Sequence, residues 1–151
     1  MRFKTSRDLL ELASQMHDGL ARYYQRLSEG NSKEKVRMLL DYLSRHEQHL
    51  ADAAQRYSKE APDAIRNAWF SQELDFEFVK CIPPAKPVEQ MSVDEVIDLA
   101  IQLDDCITDL YQMIAAQSEL PAVKEAFSNL VSQERQEKMR MVRQAMQLND
   151  M

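Results

Sequence analysis

Four long stretches of this chain repeat apolar residues in steps of three and four, with almost nothing to break them. Only two glycines and five prolines occur in 151 residues, so each stretch can stay helical over its whole length. The first stripe is Leu10, Ala13, His17, Leu20, Tyr24 and Leu27, which predicts a helix over about 6–29 with Gly30 placed to end it. The second is Val36, Leu39, Leu43, His46, Leu50, Ala53 and Tyr57, a helix over about 32–57, with His49 one step to the side. The third, over about 92–117, carries Val93, Val96, Ile97, Ala100, Asp104, Ile107, Tyr111 and Ile114. Ser92 and Glu95 stand before it at the spacing of a capping box. The fourth, over about 121–148, opens on Pro121 and carries Val123, Phe127, Leu130, Glu134, Glu137, Met141, Ala145 and Leu148.

The connections set the topology. Helices one and two are joined by a short loop, and so are helices three and four, so each pair is expected to be an antiparallel hairpin. The link over about 58–91 is long enough to run the length of a bundle and start helix three parallel to helix two. It carries Trp69, Phe70, Phe76 and Phe78, expected to cap or flank the bundle, and a possible short helix around Asp63 to Phe70. The expected architecture is therefore all-α, two helical hairpins joined by one long crossover, forming a single domain over 1–151.

Charge and composition narrow the function classes. The net charge is −6, which repels a phosphate backbone, and no basic stripe runs along any helix. Nucleic acid is therefore not an expected partner. No run of 18 apolar residues exists to span a membrane, and the start of the chain lacks the apolar core of a signal peptide. Cys81 and Cys106 form no Cys-x-x-Cys pair and are expected to be reduced thiols in a cytoplasmic protein.

The two hairpins resemble each other. An offset of 87 positions, Asp104 against His17, lays Leu12 on Leu99, Ala13 on Ala100, Asp18 on Asp105 and Tyr24 on Tyr111. An offset of 88, Glu134 against His46, lays Ser44 on Ser132 and Gln48 on Gln136, with one extra residue assigned to the second loop. The competing explanation is chance likeness between amphipathic helices.

Polar residues interrupt the apolar stripes at matching places. His17 corresponds to Asp104, His46 to Glu134 and His49 to Glu137. The pairs at i, i+3 share a helix face. Charged or imidazole groups within a core stripe are costly unless paired or bound to metal. Imidazole and carboxylate together suit iron, manganese or zinc. The expected ligands are therefore His17, His46, His49, Asp104, Glu134 and Glu137, whereas Glu47 and Asp18 are expected to be solvated. Tyr23 is expected to pack; Tyr24 and Tyr111 could either pack or hydrogen-bond a ligand.

The segments ELASQMHDGLARYYQRLSE and DLAIQLDDCITDLYQMIA resemble the first and third helices of ferritin-like proteins of the rubrerythrin type. LLDYLSRHEQH and FSNLVSQERQE resemble their second and fourth. The resemblance implies a ferritin-like four-helix bundle with two transition-metal ions, iron first, and an oxidoreductase role toward dioxygen or peroxide. A homodimer is also expected. The family pattern is one Glu on helices one and three and Glu-x-x-His on helices two and four. Here His17 and His46 stand where Glu is expected, Asp104 is a shorter acid, and Glu137 replaces His. The rubredoxin-like iron site is absent, so no built-in electron donor is expected. The alternative is a metal-free bundle, its imidazoles and carboxylates neutralising one another, that serves as a structural or interaction module.

Overall fold

The computed structural model describes residues 2–75 and 87–151. Strand β1 (Arg2–Thr5) leads into α1 (Ser6–Gly30), and α2 (Glu34–Glu60) returns alongside it. A short α3 (Asp63–Arg66), strand β2 (Trp69–Asp75) and a 3-10 turn (Val88–Gln90) belong to the crossover. Then come α4 (Val93–Gln117) and α5 (Pro121–Asn149).

Local chemistry explains where the helices start. The Thr5 hydroxyl accepts from the Asp8 N–H at 3.2 Å, and the Asp8 carboxylate accepts from the Thr5 N–H at 3.2 Å. Ser92 and Glu95 repeat this reciprocal cap before α4, at 3.2 and 3.4 Å. Each box satisfies amide donors that the first turn of a helix leaves without partners. Pro121 opens α5, where its missing N–H costs nothing. Helix α1 ends on an extended Asn31, whose side chain accepts from the Lys33 N–H at 2.8 Å. Gly30 belongs to the helix itself and adopts no positive φ.

Within the first hairpin the helices approach closely through small residues. The Ser14 hydroxyl donates to the Ala51 carbonyl at 2.9 Å, and that of Ser44 to the Ala21 carbonyl at 2.8 Å. Both bonds cross from one helix to the other. The two hairpins then share one core. Leu9, Leu10, Leu20, Leu39, Leu40 and Leu43 of the first meet Val96, Leu103, Ile107, Leu110, Ile114 and Phe127 of the second.

The crossover determines helix direction. The Asn31 side chain, at the far end of α1, donates to the Met91 carbonyl at 3.5 Å, so α4 starts where α2 starts. Lys35 near the start of α2 donates to the Asn149 carbonyl at 3.1 Å, which places the end of α5 there too. Helices α2 and α4 therefore run parallel, as the length of the link predicted. At the opposite end, the Arg66 guanidinium donates to the Ser58 carbonyl at 3.1 Å and holds the turn after α2.

The crossover also holds a feature the sequence pattern did not reveal. Strand β2 pairs antiparallel with β1, placing Thr5 opposite Trp69 and Phe3 opposite Leu74. A four-residue strand is too short to display a period, and its partner lies more than sixty residues away. The short helix expected around Asp63 to Phe70 is present but ends at Arg66, because Trp69 and Phe70 join β2. Phe76 and Phe78 lie outside the described residues. The reduced-thiol expectation is corrected for Cys106, which is buried and disulfide-bonded, while Cys81 lies outside the described residues. No helix among the described residues is long and apolar enough to cross a membrane.

Candidate metal centre

One offset relates the whole repeat. Ser6 and Val93, Gly30 and Gln117, and Glu34 and Pro121 are corresponding helix ends, each pair 87 positions apart. The loops at 31–33 and 118–120 are equal in length, so the extra residue inferred for the second loop does not exist. The correct partner of Glu134 is therefore Glu47, one position after His46. His17 and Asp104 are each the twelfth residue of their helix, and Glu47 and Glu134 are each the fourteenth of theirs. These four ionisable groups lie at the middle of the four main helices.

His17 is the hub. It is 1% exposed, and both ring nitrogens face carboxylates. Nδ1 lies 2.5 Å from Oε2 of Glu47, and Nε2 lies 3.1 Å from Oε1 of Glu134. Ionised carboxylates only accept, so both nitrogens donate and the ring is an imidazolium. Burial alone lowers the His17 pKa, but Glu47 and Glu134 outweigh it and raise the value to about 10.

Glu47, expected to be solvated, is buried at 1% exposure. Burial disfavours its charge, yet neighbouring His17 overrides this and holds the carboxyl below its ordinary range. Asp104 moves the other way. Burial and then the Glu47 charge push its pKa well up, and a side-chain hydrogen bond to Glu47 holds the proton. His46 sits beside this group, its ring stacked on Tyr42 with centroids 6.1 Å apart. Burial lowers its pKa, which favours the neutral imidazole that a metal requires.

His46, Glu47 and Asp104 each offer a ligand atom, and these atoms all lie within 4.8 Å of one another. Two of the three residues also carry an orphaned polar atom. Nε2 of His46 and Oδ1 of Asp104 are buried without a hydrogen-bond partner, as is the hydroxyl of Tyr24. Unpaired buried polar atoms cost about 1–3 kcal/mol each, so three together in a native core need an explanation. A cation between the imidazole and the carboxylates fits this donor set. Tyr24 is fully buried and close enough to Glu47 and Asp104 for their charges to raise its pKa. Its repeat mate Tyr111 lies near Glu134 and packs on Phe127, with ring centroids 6.0 Å apart. Tyr23 is partly buried against the core.

The remaining predicted ligands stand elsewhere. His49 is exposed on α2. Glu137 is 30% exposed and accepts from the Arg140 guanidinium at 2.9 Å. With Glu47 facing inward, the residue three positions on is Leu50, which cannot ligate. Asp18 is paired with Arg22 at the surface. The signal that points to Glu47 is the repeat, once the helix ends are known. Leu39 and Leu40 support two stripes one residue apart, and only the one through Leu40, Leu43 and Glu47 keeps the two loops equal.

A cleft of about 530 Å³ opens between α2 and α5, with Leu50, Ala54 and Tyr57 on one wall and Ala126, Leu130 and Gln133 on the other. It reaches Tyr111 and Glu134 at its inner side.

Two antiparallel hairpins, one crossover along the bundle and an ionisable side chain at the middle of each helix define a ferritin-like four-helix bundle. A similar fold is seen in the crystal structure of a candidate ferritin-like diiron-carboxylate protein from Thermotoga maritima, at a TM-score of 0.61 over 96% of each chain. The two sequences are 17% identical, so the likeness concerns the fold alone. No protein-family model matches the chain, and no curated protein matches it in sequence.

Proposed function

We propose that this chain is a non-haem metal-binding protein of the ferritin-like class, and that a first-row transition ion binds at the centre of the bundle. The observation that carries this reading is the convergence of His46, Glu47 and Asp104, two of which carry a buried polar atom without a hydrogen-bond partner. Iron, manganese and zinc all suit one imidazole and two carboxylates. Such an ion, when bound, supplies Lewis-acid or redox chemistry. The protein's own residues then have distinct roles. His46, Glu47 and Asp104 would offer donor atoms, Glu47 also accepts from His17, and Tyr24 offers a hydroxyl beside them. Asp104 must release its proton for the ion to bind, which makes binding stronger as pH rises.

An oxidoreductase role toward dioxygen or peroxide is the finer part of the proposal. The cleft between α2 and α5 supports it, because it offers small molecules a route to Glu134. A homodimer belongs to the same reading, supported by the exposed apolar residues Trp69, Met139 and Met146.

A second reading has an observation of its own. His17 already bridges Glu47 and Glu134 as a cation, which neutralises much of the centre without metal. A metal-free bundle serving as a structural or interaction module would need no more. Elemental analysis of protein purified without chelator separates the two. Bound transition metal that is lost on His46→Ala supports the first reading. A metal-free protein that also stays empty after anaerobic loading with iron(II), manganese(II) and zinc(II) supports the second.

A further inference from the structure

The substituted ligand set changes how many ions the centre can hold. Four ionisable side chains occupy the mid-bundle positions, but they are not equivalent. Asp104 keeps a free oxygen, Oδ1. His17 has no free nitrogen, since Nδ1 is taken by Glu47 and Nε2 by Glu134. Glu134 is turned toward His17 through Oε1, and His46, Glu47 and Asp104 form the only group of three potential metal ligands among the described residues. The repeat sharpens the asymmetry. Leu50 and Glu137 are corresponding residues at an offset of 87, one unable to ligate and the other paired with Arg140 near the surface.

We infer that the centre takes one divalent transition ion on His46, Glu47 and Asp104, and that His17, bridging Glu47 and Glu134, fills the place of a second ion. The inference rests on the metal-binding reading above and departs from the two-ion site implied by the sequence resemblance. Physically, a ring donating to two carboxylates from opposite nitrogens does what a bridging cation does. It offsets part of their charge and ties together their helices, α2 and α5. Glu47 is shared: it accepts from His17 through Oε2 and also belongs to the group of three.

Manganese(II) is a suitable probe, because stoichiometry and magnetic coupling can be read on one sample. The full chain is loaded anaerobically, dialysed and measured by elemental analysis and electron paramagnetic resonance. One ion per chain with an isolated six-line spectrum is expected. Two ions per chain with an exchange-coupled spectrum would overturn the inference and leave the metal-binding reading intact. No ion would sink both. His46→Ala is expected to weaken binding at least about tenfold, since even groups that only orient ligands cost that much. Single-ion binding of unchanged affinity in that variant would also overturn the assignment. A readout that needs no variant comes from imidazole nitrogen NMR of the zinc(II)-loaded protein. A metal-shifted nitrogen on His46, with His17 still hydrogen-bonded at both nitrogens, is the expected result. Coordination by His17 instead would refute the inference.

Discussion

At His17, two buried carboxylates accept from one ring, from Glu47 at 2.5 Å and from Glu134 at 3.1 Å. The folded state holds this proton up to about pH 10, whereas the unfolded chain releases it near 6.5. The stability this contributes is complete below about pH 6.5 and is lost as pH rises toward about 10. Asp104, also raised, acts with the same sign, while the lowered pKa of His46 acts only below 6.5 and with the opposite sign. Thermal melts in chelator should therefore decline from pH 6.5 to 10, and His17→Gln should flatten the decline. An equal slope in that variant would remove His17 as its cause. Substituting the neighbours tests the register itself. Glu47→Gln leaves a buried cation half-paired and should cost about 3–5 kcal/mol in urea unfolding. His49→Ala, at the surface, should stay within about 0.5 kcal/mol. Comparable losses at the two positions would contradict the placement of Glu47 inside and His49 outside.

Among the elements, the helices were the most legible part of the sequence, because a period of 3.6 repeated over about seven or eight turns leaves little freedom. Pro121, Ser92 and Glu95 marked two starts directly. What periodicity could not decide was which of two adjacent stripes on α2 faces inward. Leu39, Leu40 and Leu43 serve either stripe, and the stripe through Leu39, Leu43 and His46 leaves Glu47 to the side. A difference of one position separates that stripe from the structure, in which Glu47 is buried and His49 exposed. The strand pair of β1 and β2 escaped for a different reason, since a two-stranded ladder depends on residues distant in sequence. The caps lend themselves to a simple check. Thr5→Ala and Ser92→Ala should each cost about 1 kcal/mol of unfolding free energy and add in the double variant. Loss at one site alone would mean that the two boxes are not equivalent.

For the whole molecule, metal and folding are linked if the ion binds only the folded state. Manganese(II) at about 100 times its dissociation constant should add about 2.7 kcal/mol to the unfolding free energy, with a matching rise in Tm. The rise should vanish in His46→Ala and survive in His49→Ala. A rise of equal size in both variants would place the ion outside the His46, Glu47 and Asp104 group.

The sequence by itself determined the number of main helices, their approximate ends, the pairing into hairpins and the direction set by the long crossover. These follow from local propensity and from the spacing of apolar residues, which every segment carries independently. It also showed that ionisable groups interrupt the core at mid-helix. Only the tertiary structure decided which of them meet. Whether Glu47 or His46 faces His17 depends on a rotation of α2 by one residue, about 100° around its axis. That rotation is fixed by packing against three other helices and by the cross-helix bonds of Ser14 and Ser44. No local pattern contains it, because burial and charge pairing are settled between helices rather than within one.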